Sequence, residues 1–345
     1  MKSFPRRQLG KTSVRPSAIG LGTGALGGFG VSVDYPLFEQ TILAAYNNGV
    51  RYFDTAPKYG YGKSEHYLGH ALRTLGLRNE VTLSSKVGRV LKPAGRLLAS
   101  APDYGVGWVD SLPFRDTFDY SYDGIMRSFE DSQQRLGLDH LDILFVHDIG
   151  RSWHGESASA YWEQLRQGGY RALEELRGTG ATGAIGLGVN ETEAVLQAAK
   201  EFSLDCALIA GRYTLLNHTS PDGAFAELQR RKISVIAGGV FNSGILAVGA
   251  RARAPTYDYR GAPSDIIERV RKIEEICDRH HVALSAAAAQ FVYAHPAVST
   301  VLLGVEKPAE VEQNVAAVSV RIPEAFWGES KSEGIIPQEA PTEAL

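Results

Sequence analysis

Short apolar runs alternate with longer amphipathic segments along almost the whole chain. Each run is apolar at nearly every position, which is the pattern of a strand buried on both faces rather than of a strand with one solvated face. Eight runs are predicted as strands, at residues 17–24, 51–56, 81–88, 141–148, 181–189, 206–213, 233–240 and 299–305.

The segments between these runs repeat apolar residues at helical spacing, and several end at glycine, which favours the end of a helix. Parallel strands need crossover connections of about this length. The alternation therefore predicts an α/β fold, a (β/α)8 TIM barrel formed by a single domain. The predicted helices cover residues 35–49, 64–76, 122–137, 161–178, 191–202, 222–231 and 266–280.

Two connections are longer than the others: residues 89–121 follow the third predicted strand, and residues 241–262 follow the seventh. Both belong to the carboxyl-terminal face of the barrel, where barrel enzymes place their active sites. Their glycine, proline and aromatic content favours long functional loops over separate domains. Residues 328–345 have few apolar side chains to bury. We therefore expect a barrel over residues 1–327, followed by a loosely held tail.

A glycine-rich segment at residues 22–27 matches the dinucleotide-binding pattern G-x-G-x-x-G. In that motif the third glycine lies inside a helix that opens directly after the strand. Here more glycines follow, and the sequence favours a helix only from about Pro36. The segment is therefore interpreted as a strand-to-helix loop at the mouth of the barrel, and the Rossmann alternative is set aside.

Composition excludes several classes of partner. The 345 residues carry a formal net charge of −3 and 22% charged residues, so nothing indicates nucleic acid or an anionic membrane surface. No stretch approaches the roughly 20 apolar residues of a membrane helix. Cys206 and Cys277 stand far apart and in no metal-ligand spacing, which favours buried thiols in a reducing compartment. A cytoplasmic protein with a small-molecule substrate is expected, and its oligomeric state stays open.

Ionisable residues stand at the ends of three consecutive predicted strands. Asp54, Lys86 and His147 close the second, third and fourth strands, and Tyr59 follows in the loop after Asp54. Charged groups in apolar strands are costly unless they pair, which gives their convergence at one rim a physical reason. Taken singly, each is as readily a loop anchor, a surface lysine, a core histidine or a packing aromatic. As a set they predict an active site.

This set resembles the aldo-keto reductase superfamily. The motif D-T-A-x-x-Y-G-x-G-x-S-E-x-x-L-G-x-A-L runs without interruption from Asp54 to Leu72, and I-G-L-G-T-G occupies residues 19–24. The run D-I-L-F-V-H ends at His147, and G-x-x-K-P-A-E-V-E-Q-N covers residues 304–314. The resemblance extends over residues 5–327, and it implies an NAD(P)-dependent oxidoreductase.

The resemblance also implies roles for the four strand-end residues. Tyr59 would be the general acid/base, and Lys86, held by Asp54, would favour its phenolate form. His147 would donate a hydrogen bond to the substrate oxygen. The hydride itself would pass directly between substrate and nicotinamide.

Cofactor contacts are implied at the ends of other strands. Tyr213 would stack on the nicotinamide, with core packing as the alternative, and Asn190 would face the carboxamide. Gly188 and Val189 replace the serine usual before this asparagine, and Ala210 stands where glutamine is common, so the carboxamide contacts are open. The remaining expected contacts are Gly22 and Thr23 after the first strand, Gly239, Val240, Asn242, Gly244 and Leu246 along the pyrophosphate, and Gly304, Glu306, Glu310 and Asn314 around the adenosine ribose.

Glu306 and Glu310 also bear on the choice of cofactor, because a carboxylate would repel a 2′-phosphate and could accept a hydrogen bond from a free 2′-hydroxyl. NAD is therefore predicted. Lys307, between them, is the argument for NADP.

Within the superfamily the chain resembles dehydrogenases that oxidise cyclic hemiacetals to lactones, which act on L-fucose and other D-threo-aldoses or on pyridoxal. A sugar is favoured here. Trp108, Tyr120 and Trp153 would stack on it and Asp148 would bind its hydroxyls, with loop packing as the alternative. Other hypotheses are an NADPH-dependent carbonyl reductase and a cofactor-binding regulatory subunit. A metal-dependent hydrolase is disfavoured because no strand carries H-x-H, and no metal is expected.

Overall fold

The computed structural model of the protein describes residues 4–95, 107–218 and 223–343. Part of the first long connection, residues 96–106, lies outside the described residues. The strands are β1 Ile19–Gly22, β2 Tyr52–Asp54, β3 Thr82–Val87, β4 Arg89–Pro93, β5 Phe114–Phe118, β6 Leu141–His147, β7 Thr182–Val189, β8 Cys206–Ala210, β9 Ser234–Gly238, β10 Thr256–Tyr257, β11 Arg260–Gly261 and β12 Val298–Gly304.

Parallel pairing closes eight of these strands into a barrel in the order β1-β12-β9-β8-β7-β6-β3-β2. These are the eight strands predicted from the apolar runs, with ends that differ from the prediction by a few residues at most, so the predicted (β/α)8 barrel is confirmed. β2, β3 and β6 are neighbours, as are β9, β12 and β1. The barrel therefore brings two groups of strand ends together on separate parts of one rim.

Helices surround the barrel, and local sequence sets several of their ends. Asp34 caps α1 by accepting a hydrogen bond from Leu37 N at 3.0 Å, and Ser121 caps α3 in the same way through Gly124 N. Gly137 ends α3 in the left-handed conformation, at φ 62°. The helices are α1 Tyr35–Asn47, α2 Lys63–Thr74, α3 Tyr122–Leu136, α4 Arg151–His154, α5 Ala158–Gln164, α6 Tyr170–Gly178, α7 Thr192–Glu201, α8 Ala224–Arg230, α9 Ile245–Val248, α10 Ser264–His280, α11 Leu284–Ala294, α12 Pro308–Val318 and α13 Glu324–Ser332.

The helix prediction over residues 161–178 needs a correction. A π-helical turn at Leu165–Gly169 separates α5 from α6. Gly169 packs directly on the backbone of Tyr120, where an added Cβ would stand 2.1 Å from the carbonyl oxygen. The glycines that allow this close contact also interrupt the regular helix.

The glycine-rich loop behaves as predicted. After β1 the chain forms a short 3-10 turn at Ala25–Gly27, and α1 begins only at Tyr35. It is therefore not the helix-opening turn of a Rossmann site.

Both long connections contain antiparallel hairpins, which the sequence analysis treated as loops. β4 pairs with β5, and β10 pairs with β11. The two hairpins stand above the carboxyl-terminal rim, on the side where the ionisable residues gather.

The expected boundary at residues 327/328 falls inside α13, so the loosely held tail is a correction. Phe326 and Trp327, on the barrel side of that boundary, and Ile336 and Ala340, within the expected tail, are all at most 6% exposed. The apolar residues of this segment are few but are spaced to reach the surface of α10 and α11, which is why composition alone underestimated the packing.

Apolar side chains fill both the barrel interior and the layer between barrel and helices. Tyr52, Phe145 and Cys206 belong to the interior cluster, which also includes Leu9 from the segment before β1. Both cysteines are buried free thiols. Across the described ranges, no helix is both long and apolar enough to cross a membrane.

Candidate active site

Three neighbouring strands place the predicted catalytic side chains at one rim. Asp54 ends β2, Lys86 lies on β3 and His147 ends β6. In the ladder register Asp54 pairs with Ser84, two residues before Lys86 on the same face of β3. The barrel thus brings together residues that are far apart in sequence.

A chain of polar contacts joins Asp54, Lys86 and Tyr59. Lys86 Nζ donates to Asp54 Oδ2 at 2.7 Å and lies 3.2 Å from the Tyr59 hydroxyl. The second Asp54 oxygen accepts from Ser84 at 2.6 Å. Lys86 and Asp54 are each 1% exposed, so both charges are compensated inside the protein. The predicted set Asp54–Lys86–Tyr59 is assembled as one hydrogen-bonded unit.

The pKa of Tyr59 lies above its ordinary value, although Lys86 was expected to favour the phenolate form. Burial raises the pKa of Tyr59 to about 12, although the charge of Lys86 lowers it. Burial alone would lower the pKa of Lys86, but Asp54 and Tyr59 raise it above its ordinary value. Lys86 is therefore a fixed cation, and Tyr59 is a phenol at neutral pH.

His147 faces the same site as a neutral ring. Burial, followed by the charges of Arg89, Lys86 and Lys58, holds its pKa well below the ordinary value. Its Nδ1 is buried and has no hydrogen-bond partner within the described ranges. Its ring lies edge-on to Tyr59, with 6.3 Å between ring centres. A neutral imidazole beside a phenol is suited to binding a hydroxyl or carbonyl oxygen.

Gly188 lies beside the lysine stem. It pairs with His147 across β6 and β7, and an added Cβ would lie 3.4 Å from Lys86 Cε, which is an ordinary van der Waals distance. The structure therefore gives no steric reason for glycine at this departure from the family pattern.

The predicted cofactor residues lie mainly along the neighbouring strand ends. Gly22, the loop after β9 and Gly304 follow adjacent strands of the barrel. The expected contacts in the loop after β9 are Gly239, Val240, Asn242, Gly244 and Leu246. Those after β12 are Glu306, Glu310 and Asn314, of which the last two lie on α12.

Asn242 gives a direct structural indication that this loop receives a polar ligand. It is 2% exposed, yet neither polar atom of its side chain has a partner within the described part of the chain. Buried amides are ordinarily hydrogen-bonded. Asn242, Ser243 and Gly244 all have positive φ, and the N–H groups of Asn242 and Gly244 donate within the loop to Gly239 O at 2.9 Å and to Phe241 O at 3.0 Å. These residues fit the pyrophosphate of a nicotinamide cofactor.

Other expected cofactor contacts are engaged within the protein. The Thr23 hydroxyl donates to Asp54 O at 2.9 Å and is fully buried, so this side chain positions β2. The Asn190 side chain hydrogen-bonds the Tyr259 hydroxyl, and Asn190 O accepts from Arg212.

Tyr213 is placed differently from the expectation. Its ring stacks on Phe291 with 5.1 Å between centres and 13° between planes, and Phe225 and His295 complete an aromatic cluster. Only 7% of the residue is exposed. The structure therefore favours core packing, the alternative considered for this residue, over stacking on nicotinamide.

Of the four expected substrate residues, Trp108 is the one whose ring packs against that of Tyr59 in the described part of the chain. Its ring centre lies 5.9 Å from that of Tyr59. Tyr120 is fully buried and donates to His147 O at 2.7 Å, so it supports the end of β6 instead of lining a pocket. Asp148 pairs with Arg89 at 2.5 Å, and Trp153 covers that guanidinium from its 48% exposed position. Asp148 and Trp153 are thus corrected from substrate ligands to partners of Arg89.

Sequence reasoning missed Arg89, Phe29 and Tyr259. Phe29 bridges to Trp108 through its backbone, and its ring lies 5.3 Å from Trp108 and 5.8 Å from Tyr259. These three rings come from three separate loops and form an aromatic group above Tyr59. The arginine directly after the Lys86 strand was a visible signal, but its partners lie too far along the chain to be paired from sequence.

The arrangement can carry a proton between a substrate oxygen and Tyr59 beside a fixed cation. Within the described ranges no group of three or more histidine, cysteine or acidic residues could hold a metal ion.

Residues 18–332 match the aldo/keto reductase family model. The closed barrel is similar to an aldo-keto reductase from Bacillus halodurans, with a TM-score of 0.74 at 21% identity over 99% of this chain and 98% of that one.

Two curated relatives are similar over nearly their whole length. A pyridoxal 4-dehydrogenase from Microbacterium luteolum is 46% identical over 97% of this chain and 99% of its own. A D-threo-aldose 1-dehydrogenase from a Pseudomonas species is 34% identical over 95% and 99%. Similarity of this extent, added to the barrel and its polar rim, makes the chain a member of the aldo/keto reductase family and an oxidoreductase.

Proposed function

We propose that this enzyme oxidises the cyclic hemiacetal of pyridoxal to a lactone, with NAD as hydride acceptor. The observation that carries the proposal is the Tyr59–Lys86–Asp54 chain beneath an aromatic group, in a protein 46% identical to a pyridoxal 4-dehydrogenase. The buried free thiols support a reducing compartment, so we also propose the cytoplasm.

The roles of the residues follow from their contacts. Tyr59, as phenolate, takes the proton of the hemiacetal hydroxyl, and Lys86 stabilises the negative charge of that phenolate. His147 orients the same substrate oxygen. When bound, the nicotinamide supplies the hydride-accepting carbon, so that loss of a proton and a hydride leaves the lactone carbonyl. Asp54 keeps Lys86 charged and in place.

The surroundings of Tyr59 bear on the choice between pyridoxal and a sugar. Trp108, Phe29 and Tyr259 present rings above the catalytic tyrosine. Aromatic rings stack on a pyridine ring as readily as on a sugar face, so they alone do not choose between the two. The carboxylate expected to bind sugar hydroxyls, Asp148, is paired with Arg89. This favours pyridoxal over the sugar that the sequence favoured.

An aldose 1-dehydrogenase is the second candidate, because a D-threo-aldose 1-dehydrogenase is 34% identical over nearly the full chain. The same proton and hydride leave a sugar hemiacetal, and the catalytic set would serve both substrates.

The acidic residues after β12 support NAD over NADP. Glu310 accepts from Glu306 N at 2.9 Å and lies 3.7 Å from Lys307 Nζ, so the lysine charge is already paired. Burial and the neighbouring Glu310 raise the pKa of Glu306. A 2′-phosphate at this site would lie close to two carboxylates and to a lysine whose charge is already paired with Glu310.

Glu306→Arg combined with Glu310→Arg is expected to raise kcat/KM for NADP at least about tenfold, because two arginines could bind the 2′-phosphate. Glu312→Arg is the matched control on α12.

The activity test compares initial rates of NADH formation with pyridoxal, L-fucose, L-galactose and D-arabinose, each with NAD and with NADP. Tyr59→Phe serves as the control for chemistry, since it keeps the ring and removes the hydroxyl. Turnover of pyridoxal that Tyr59→Phe abolishes supports the proposal. Turnover of aldoses but not of pyridoxal would favour the aldose 1-dehydrogenase. Cofactor binding without turnover of any substrate would contradict both and favour a regulatory subunit.

A further inference from the structure

A buried charged cluster beside His147 has no part in the roles assigned above. Arg89, at the start of β4, is 2% exposed. One of its terminal nitrogens contacts Asp116, and the other lies 2.5 Å from Asp148 Oδ2. The ring centres of Phe118 and Trp153 lie 4.3 and 4.5 Å from the guanidinium carbon of Arg89. These contacts fix Arg89 as a brace between the β4–β5 hairpin and the end of β6.

Asp148 adopts a left-handed backbone conformation, and its carboxylate lies close to the ring of the preceding residue, His147. Its φ is 55°, in the left-handed region where aspartate and asparagine are enriched among non-glycine residues. Its N–H donates to Gly188 O at 2.9 Å, and its carbonyl accepts from Gly150 N at 3.0 Å. In this position Asp148 Oδ2 lies 3.3 Å from His147 Nε2.

This contact bears on which ring nitrogen of His147 carries the proton. A neutral imidazole has one N–H and one lone pair, and the hydrogen-bond partner of one nitrogen decides the tautomer. A carboxylate beside Nε2 favours N–H at that atom and disfavours a lone pair there. Nδ1 has no partner within the described ranges that would oppose this choice. No hydrogen bond joins the two groups at this 3.3 Å separation, so an Nε2–H remains available to a substrate oxygen while the adjacent Asp148 oxygen disfavours a lone pair at that nitrogen.

We propose that Asp148, held by Arg89, is a positioning residue that keeps the proton of His147 on Nε2, the nitrogen that donates to the substrate oxygen. Arg89 acts through Asp148, because without its charge the buried carboxylate would lose its main compensating partner. The last part of the proposal rests on the proposed role of His147 in hydride transfer. The tautomer itself does not depend on the substrate.

Two substitutions at position 148 distinguish the effect of the carboxylate from the effect of the left-handed backbone conformation. Asp148→Gly removes the acceptor, and glycine adopts positive φ without strain. Asp148→Asn keeps an acceptor oxygen and tolerates the same φ. Arg89→Lys keeps one charge but loses the fork that reaches two carboxylates. Arg177→Gln is the control, since it breaks the ion pair with Asp205 near the opposite end of the barrel.

The tautomer is measured by nitrogen NMR of the full chain labelled with ¹⁵N-histidine, and the His147 signals are assigned from the spectrum of His147→Gln. The wild type, Asp148→Asn and Arg177→Gln are expected to show the Nε2–H form, and Asp148→Gly and Arg89→Lys a mixture. In Asp148→Gly, kcat should fall at least about tenfold, a part of the roughly 10²–10⁴ that such a group contributes. NADH affinity, followed by fluorescence, should stay within about twofold of wild type, because the substitution lies outside the cofactor contacts.

An unchanged tautomer in Asp148→Gly, together with unchanged kcat, would overturn the proposal. If that variant does not fold, Arg89→Lys decides, and retention of the pure Nε2–H form there would overturn it equally. If no hemiacetal is oxidised at all, the proposed function fails, while the NMR comparison still tests the positioning role on its own.

Discussion

Tyr59 shows most clearly how a single residue acquires its chemistry from its surroundings. Its hydroxyl lies 3.2 Å from the ammonium of Lys86, yet burial raises the pKa to about 12. Lysine therefore offsets part of a large desolvation effect and does not by itself make a phenolate. The enzyme favours the protonated form at neutral pH, which suits reduction, while oxidation draws on the small phenolate fraction.

This balance predicts a pH dependence with a definite sign. Because oxidation needs the phenolate and the pKa lies near 12, kcat/KM for NAD-dependent oxidation should rise with pH, by about tenfold per pH unit where Tyr59 alone limits the rate. In the reverse direction the phenol is already formed, so reduction should not depend on this group over the same range. Initial-rate measurements in both directions test this, and oxidation that is flat or falls with pH would contradict it.

Lys86→Met is expected to raise the pKa of Tyr59 further, because it removes the charge that lowers it. Oxidation at a fixed alkaline pH should then fall by at least about a hundredfold, within the range for losing general acid–base support. Lys63→Met is the matched control: Lys63 is 4% exposed and lies 5.6 Å from the ring centre of Tyr67, away from Tyr59. An equal loss in both variants would show that the effect is not specific to Tyr59.

The sequence predicted that Asp54, Lys86 and His147 converge at one rim, and the reason is physical. Asp54, Lys86 and His147 end strands that pair in the barrel, so strand position alone brings them together. Asp148, Tyr120 and Tyr213 could not be assigned in this way. Their roles depend on partners such as Arg89 and Phe291, which lie far along the chain and are reached only through side-chain packing.

At the scale of elements, the apolar runs predicted the eight barrel strands because a parallel strand inside a barrel is covered on both faces. The hairpins β4–β5 and β10–β11 were not predicted. Their strands are exposed on at least one face, so their residues show no buried run, and the turn between β4 and β5 includes residues outside the described ranges. Irregular helices such as α5–α6 likewise depend on close contacts that periodicity does not contain.

Glu65 joins three elements beneath the active site. It lies on α2 and has no exposed surface. Its carboxylate accepts hydrogen bonds from Arg135 of α3 and from Ser85 of β3, each at 2.6 Å. Removing one partner of a buried pair leaves the other charge uncompensated, which costs about 3–5 kcal/mol.

Glu65→Ala should therefore lower the free energy of unfolding by about 3 kcal/mol or more, measured by urea denaturation. Glu268→Ala, which removes an exposed partner of Arg271, should leave the midpoint nearly unchanged. Similar midpoints for the wild type and Glu65→Ala would show that Arg135 is readily rehydrated.

At the scale of the whole molecule, the carboxyl-terminal segment is part of the packed structure. Phe326 and Trp327 are 1% and 5% exposed, and Trp327 approaches Phe291 of α11, with 6.5 Å between ring centres. Glu329 accepts from Arg279 at 2.8 Å and contacts His280, both near the end of α10. The segment therefore covers apolar surface of the outer helix layer.

A chain that ends at Pro323 should lose about 3–6 kcal/mol of stability, from two buried aromatic side chains at roughly 1.5–3 kcal/mol each. Thermal and urea unfolding measure this loss. A chain that ends at Ala340, which keeps these contacts, should match the full-length protein. Equal stability of the chain ending at Pro323 would show that Phe326 and Trp327 add nothing to the stability of the fold.

The most direct test of the whole account is the rate of NADH formation from pyridoxal, measured beside the rate from L-fucose, with wild type and Tyr59→Phe. Pyridoxal and NAD are expected to give the higher kcat/KM, and NADP is expected to be used poorly. Tyr59→Phe should lose at least about a hundredfold in kcat while still binding NADH. Pyridoxal oxidation that survives unchanged in Tyr59→Phe would contradict the assigned site, and turnover of L-fucose alone would contradict the assigned substrate.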